Sequence, residues 1–137
     1  MKDWIADTGP LVALLVSDDQ FHAWAVEQVK KAPRALYTCE AVISEACFLL
    51  YRDGYDAEDL FALVESGFLS CDFDFRREYR AIRDLMRRYH EQPMSYADAC
   101  LVRMAELRPA ACIWTLDRHF QVYRQGGRQS LSLVAPW

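Results

Sequence analysis

Ala110-Ala111-Cys112-Ile113-Trp114-Thr115-Leu116-Asp117 is an apolar run that ends on an acid. It lacks the polar alternation of a half-exposed strand, which is the pattern expected of a strand buried on both faces of a parallel sheet. Trp4-Ile5-Ala6-Asp7 repeats the arrangement near the start of the chain: a short apolar run, then an acid. Between the two runs the pattern alternates strand and helix. Strands separated by helices pair in parallel through crossovers, so the expected architecture is α/β, with a central parallel sheet.

Working outward from these runs gives the other elements. Lys2 to Ala6 reads as the first strand, and Asp7-Thr8-Gly9-Pro10 as a turn into a helix, with Pro10 at a permitted first-turn position. Asp18 or Asp19 can cap a second helix running to about Lys31, which Pro33 stops. Ala35 to Tyr37 reads as a strand, and Thr38 can cap the helix that carries Glu45. Ala57–Phe68 reads as helix, Leu69–Cys71 as strand, and Phe75–His90 as a long charged helix. Ser95–Leu107 is a further helix, closed by Pro109. A short helix over Asp117–Tyr123, a turn at Gly126-Gly127 and a last strand at Leu131–Val134 complete the pattern.

At 137 residues, with 53% hydrophobic and 13% aromatic residues, the expectation is one domain over residues 1–137 with a substantial core. The five cysteines include no C-x-x-C pair, which argues against a zinc ribbon or a disulfide framework and for a reducing compartment. No segment approaches the length of a membrane span and the N-terminus lacks signal-peptide character, so the expected location is cytoplasmic, away from membranes.

The net charge of −4 is not the signature of a protein held to nucleic acid by bulk charge alone, and it leaves nucleic acid open because local charge matters more than the sum. The distribution is uneven, however. Asp53 to Asp74 holds seven acids and no Lys or Arg, whereas Arg76 to Arg88 holds six Arg against two acids. Arg76, Arg80, Arg83 and Arg87 recur at helical spacing and form a stripe. Such a stripe either positions phosphates or is a solvated face balanced by Glu78, Asp84 and the acidic helix before it. Arg118, Arg124 and Arg128 lie nearer the strand-end acids.

Four acids stand where a carboxylate is awkward unless it binds something: Asp7, Glu45, Asp98 and Asp117. In open parallel sheets, sites form beyond the C-terminal strand ends, where Asp7 and Asp117 both fall. Each acid also has an ordinary explanation. Asp7 suits a turn and Asp117 a helix cap. Asp98 completes the capping-box-like Ser95-x-x-Asp98. Glu45 sits among Val42, Ile43, Ala46, Cys47, Phe48, Leu49 and Leu50, where a buried unpaired carboxylate costs several kcal/mol or takes up a proton; its ordinary explanation is a buried pair with an Arg, or a helix face less buried than it looks. Together, the four suit a hard divalent cation, Mg2+ or Mn2+, which prefers oxygen ligands and polarises phosphoryl groups.

Ile5-Ala6-Asp7-Thr8-Gly9-Pro10-Leu11, Val42-Ile43-Ser44-Glu45-Ala46, Met94-Ser95-Tyr96-Ala97-Asp98-Ala99 and Trp114-Thr115-Leu116-Asp117-Arg118-His119-Phe120 resemble the successive motifs of PIN-domain nucleases. The nearest likeness is to the VapC-like ribonuclease toxins of type II toxin–antitoxin modules. The resemblance covers essentially the whole chain. It implies a three-layer α/β/α domain and a Mg2+- or Mn2+-dependent endoribonuclease. Asp7, Glu45, Asp98 and Asp117 would be its catalytic and metal-binding acids, and Thr8 and Thr115 the polar neighbours that orient them. Arg118, Arg124, Arg80 and Arg83 are the expected RNA contacts. A cognate antitoxin is implied as partner, with Phe21, Trp24, Leu49, Tyr51, Phe61 and Phe68 as groove residues, and homodimerisation is common in the family. Arg118 and His119 stand where some members carry a further acid, which sets this chain apart at a second metal position.

Other readings fare worse. A haloacid-type phosphatase needs Asp-x-Asp where Asp7-Thr8-Gly9 stands, a receiver needs a late Lys although the last is Lys31, and no Gly-rich nucleotide loop occurs. The alternative from a different class is a catalytically silent PIN-like protein-binding module.

Overall fold

The computed structural model describes residues 2–137. Five parallel strands form the sheet: β1 (Trp4–Ala6), β2 (Leu36–Tyr37), β3 (Leu69–Ser70), β4 (Cys112–Trp114) and β7 (Leu133–Val134). Their spatial order is β3-β2-β1-β4-β7. The chain therefore runs outward from β1 in one direction through β2 and β3, then returns to β1's other side for β4 and β7. The topological switch point lies between β1 and β4, the place where open α/β sheets form their ligand crevices.

Six α-helices accompany the sheet among the described residues: α1 (Thr8–Leu15), α2 (His22–Lys31), α3 (Glu40–Arg52), α4 (Glu58–Glu65), α5 (Phe75–Arg88) and α6 (Tyr96–Leu107). α1 packs on α2, α3 and α4, while α5 packs on α6, which lies against β1 and β4. This is the expected three-layer α/β/α arrangement. Ile5, Leu36, Leu69 and Ile113 from the strands and Leu11, Val42, Leu50, Leu60 and Leu101 from the helices are fully enclosed. Each such side chain contributes about 1.5–3 kcal/mol by leaving water. None of the helices among the described residues is long and apolar enough to cross a membrane.

Several elements differ from the expectation for identifiable reasons. β4 keeps three residues of the apolar run; Thr115 and Leu116 lie beyond it, although the Thr115 N–H still donates to Val134 O at 3.0 Å. α2 starts at His22 because Asp19 forms a turn, its Oδ1 accepting from the Phe21 N–H at 2.8 Å. Thr38 does not cap α3. It is buried, and its hydroxyl donates to Ala6 O at 2.9 Å, tying β2 to β1, while Cys39 takes the cap position. A small hairpin, β5 (Arg124–Gln125) and β6 (Gln129–Ser130), forms around Gly126 and Gly127, whose positive φ values of 60° and 79° favour glycine.

Candidate active site

Asp7 leaves the end of β1 and is the N-cap of α1, so one residue both ends a strand and starts a helix. Its Oδ1 accepts from the Thr8 N–H and its Oδ2 from the Thr115 hydroxyl, each at 2.7 Å. The carboxylate is buried, and that burial pushes its pKa up to about 7, against the two hydrogen bonds that oppose the rise. The charges of Asp98 and Asp117 push in the same direction as burial.

Asp117 leaves the end of the β4 run and caps a 3-10 helix over Arg118–Gln121. Its own N–H donates to Thr115 Oγ1 at 2.9 Å. Thr115 is therefore a bridge between the two strand-end acids, donating to one and accepting from the other. Asp117 Oδ1 accepts from the His119 N–H at 2.9 Å, and His119 Nδ1 lies 2.7 Å from the same oxygen.

Asp98 sits in the first turn of α6, in a complete capping box with Ser95: the Asp98 N–H donates to Ser95 Oγ at 3.0 Å, and the Ser95 N–H to Asp98 Oδ2 at 3.3 Å. Capping and cleft placement coexist here. Tyr123 adds a third contact, its hydroxyl donating to Asp98 Oδ2 at 3.0 Å. Burial holds the Asp98 carboxyl above its ordinary pKa, opposed by Ser95 and Tyr123 and reinforced by the charge of Asp117.

Glu45 corrects the sequence reading of a buried acid. On α3 the buried stripe is Val42, Ala46 and Leu50, spaced by four, and Glu45 lies outside it, exposed. Phe48, one of the apolar neighbours that made Glu45 look buried, is itself 63% exposed. Glu45 nevertheless reaches the cleft, where its Oε2 accepts from the Thr8 hydroxyl at 3.2 Å. Thr8 thus touches two acids, Asp7 through its backbone and Glu45 through its side chain.

The four acids line one cleft of about 450 Å³, together with Thr8, Ser95, Leu116 and His119. It lies at the switch point between β1 and β4. Among the described residues no group of three or more acidic, His or Cys side chains is close enough together to hold a metal ion as the side chains stand. Magnesium and manganese keep several waters and take only one or two carboxylates directly. The donor chemistry fits as well: oxygen-only, negatively charged, and destabilised by mutual repulsion that a cation would relieve.

The four arginines expected at RNA do not line this cleft. Arg118 is exposed, its guanidinium 4.9 Å from the centre of the Trp137 ring. Arg124 folds back on its own loop, donating from Nη1 to the carbonyls of Gln121, Val122 and Tyr123 at 2.7, 3.0 and 3.1 Å. Arg80 and Arg83 stand exposed on α5, Arg80 beside the Tyr79 ring. The role of Tyr123 carried no local sequence signal. Tyr123 lies 25 residues from Asp98, and only the fold brings them together.

A switch-point cleft lined by acids in a parallel α/β/α domain fits the class of α/β nuclease domains. The family comparison agrees: residues 5–125 match the PIN domain, and the chain belongs to that family. Among solved structures, the chain is similar to the Mycobacterium tuberculosis toxin VapC20, described as cleaving the sarcin-ricin loop, with a TM-score of 0.76 at 20% identity. The likeness covers 88% of this chain and 94% of that one. Comparison with curated protein sequences gives no match.

Proposed function

We propose that this protein is an endoribonuclease that hydrolyses RNA phosphodiester bonds with Mg2+ or Mn2+, acting in the cytoplasm as the toxin of a toxin–antitoxin pair. The observation that carries the reading is the convergence of Asp7, Glu45, Asp98 and Asp117 on one cleft of a PIN-domain fold. The likeness to VapC20, a toxin that cleaves RNA, supports it. PIN nucleases of the VapC type generally use a divalent metal.

Asp7, Asp98 and Asp117 would hold the cation, with Glu45 at the exposed rim. When bound, such an ion polarises a phosphoryl group and offsets charge on the leaving oxygen. The chain's own part is positional. Thr115 orients the Asp7 carboxylate and anchors the Asp117 backbone, Thr8 spaces Asp7 from Glu45, and Tyr123 with Ser95 holds Asp98. Asp117 and Glu45 are the more exposed carboxylates and suit orienting water or accepting its proton. No side-chain nucleophile is required.

For an antitoxin, the exposed rings available are Phe48 and Tyr51 on α3 and Phe61 on α4, with Leu49 at the cleft wall. Phe21, Trp24 and Phe68 are instead partly buried against the core. A partner helix laid there could reach the acids with an Arg.

The test is cleavage of a mixed RNA pool with Mg2+ or Mn2+, with EDTA, and with Asp7→Asn and Asp98→Asn. Cutting that needs the metal and both acids is the expected result. Equal survival of RNA in all arms, with no metal binding by the wild type, would sink the proposal in favour of a silent binding module.

A further inference from the structure

A second groove, of about 440 Å³, opens on α5 and the start of α6, away from the acids. Its wall carries three exposed rings: Phe75, 50% exposed, Tyr79, 40%, and Tyr96, 41%. They contact one another, Phe75–Tyr79 and Phe75–Tyr96 both with centroids 6.0 Å apart. Three mutually contacting exposed rings in one groove give it flat π faces that a planar ligand could stack on.

The charge around it selects the occupant. Arg76, Arg77, Arg80, Arg83, Arg87 and Arg88 are all exposed on α5. None makes an ion pair among the described residues. Glu78, the acid that could have balanced them, is taken by Arg103 at 2.8 Å. Asp84 and Glu91 remain as nearby acids, and Glu91 faces His90 at 3.7 Å. The groove therefore joins π faces to uncompensated guanidinium groups, the combination that holds unpaired nucleotides by base stacking and phosphate contact. A duplex hides its base faces and could use only the arginines. The exposed Phe61 lies instead on α4, whose first turn carries Glu58 and Asp59, the wrong sign for a polyanion.

Position supports the same occupant. Tyr96 lines this groove, and Ser95, its neighbour in sequence, lines the acid cleft. A strand lying along α5 would pass over the N-terminus of α6 towards Asp98.

We propose that Phe75, Tyr79 and Tyr96, flanked by Arg80, Arg83 and Arg87, form a stacking platform that delivers single-stranded RNA to the four-acid cleft. This rests on the reading of the chain as an RNA hydrolase and assigns the surface on which unpaired bases would be gripped. The test is fluorescence anisotropy of a labelled oligouridine, alone or annealed to oligoadenosine, with the full chain in EDTA, so that binding is read without cleavage. The wild type binds the single strand more tightly than the duplex. Tyr79→Ala weakens single-strand binding about tenfold and Tyr79→Trp restores it, since indole stacks as well as phenol. Arg83→Ala lowers the salt dependence by about one counterion. Circular dichroism confirms that these exposed-site variants are folded. Equal affinity for single strand and duplex, no binding by the wild type, or Tyr79→Ala binding unchanged each overturns the platform. So does a wild-type dimer in sedimentation that Tyr79→Ala splits, which would assign the groove to a second copy. Cleavage without platform-dependent binding would refute this inference and leave the nuclease standing, whereas platform-dependent binding without cleavage would do the reverse.

Discussion

Thr115 and Asp7 lie 108 residues apart in the chain and are joined by a 2.7 Å hydrogen bond from hydroxyl to carboxylate. The same hydroxyl accepts from the Asp117 backbone. One buried oxygen thus sets the spacing of the two acids at the switch point. Thr115→Val keeps the shape and removes both bonds, leaving the Asp117 N–H without this partner and Asp7 with one donor fewer. The expected cost is about 1–3 kcal/mol of stability. Metal affinity and cleavage should each fall about 10–100-fold, as for other outer partners of metal ligands. Calorimetric metal titration and initial rates check this.

Asp7 makes the metal-free protein sensitive to pH. Burial holds its carboxyl at about 7 against an ordinary 3.8. Between those values the unfolded chain has released this proton while the native state still holds it. Stability therefore falls as pH rises through the window and levels off above it, by at most about 4 kcal/mol. Asp7→Asn removes the titration, so its Tm in EDTA should drop less than that of the wild type between about pH 5 and about pH 8. A wild-type Tm that rises across this range would contradict the reading.

Divalent cation should relieve the same repulsion. Addition of Mn2+ or Mg2+ at neutral pH is expected to raise the wild-type Tm by several degrees, through binding to the native state alone. Asp98→Asn should lose most of that rise. Differential scanning calorimetry with Ca2+ and monovalent salt as controls reads the effect.

Glu45 separates function from stability. It is exposed and accepts a single 3.2 Å bond from Thr8. Glu45→Gln should leave stability within about 0.5 kcal/mol of the wild type, as surface changes usually do. If Glu45 serves the cleft, cleavage falls all the same, and urea melts paired with rate measurements show the split.

Tyr123→Phe tests the contact that local sequence did not reveal. The ring remains packed edge-on against Phe120 and Tyr89. The loss of its bond to Asp98 should cost about 1 kcal/mol. Cleavage should fall less than in Asp98→Asn, because the carboxylate remains and only its orientation loosens.

What the sequence determined on its own was the periodic skeleton and the ends of its strands. Apolar runs without polar alternation required a sheet covered on both sides, and the intervening helices required parallel crossovers. Acids at two strand ends then had to lie on the same edge of that sheet. Ser95 and Asp98 could be read as a cap because a capping box is local, joining residues three positions apart. The sequence could not set the depth of Glu45. Its neighbours are apolar on every side in one dimension, and only the packing of α3 decides that Val42, Ala46 and Leu50 face inward while Phe48 faces water. Nor could it place Thr38 under Ala6, Thr115 between Asp7 and Asp117, or Tyr123 on Asp98. Those contacts join residues distant in the chain, and their geometry follows from strand order and helix packing. Local pattern marked the candidate acids, and the three-dimensional closure of the sheet decided which of them meet.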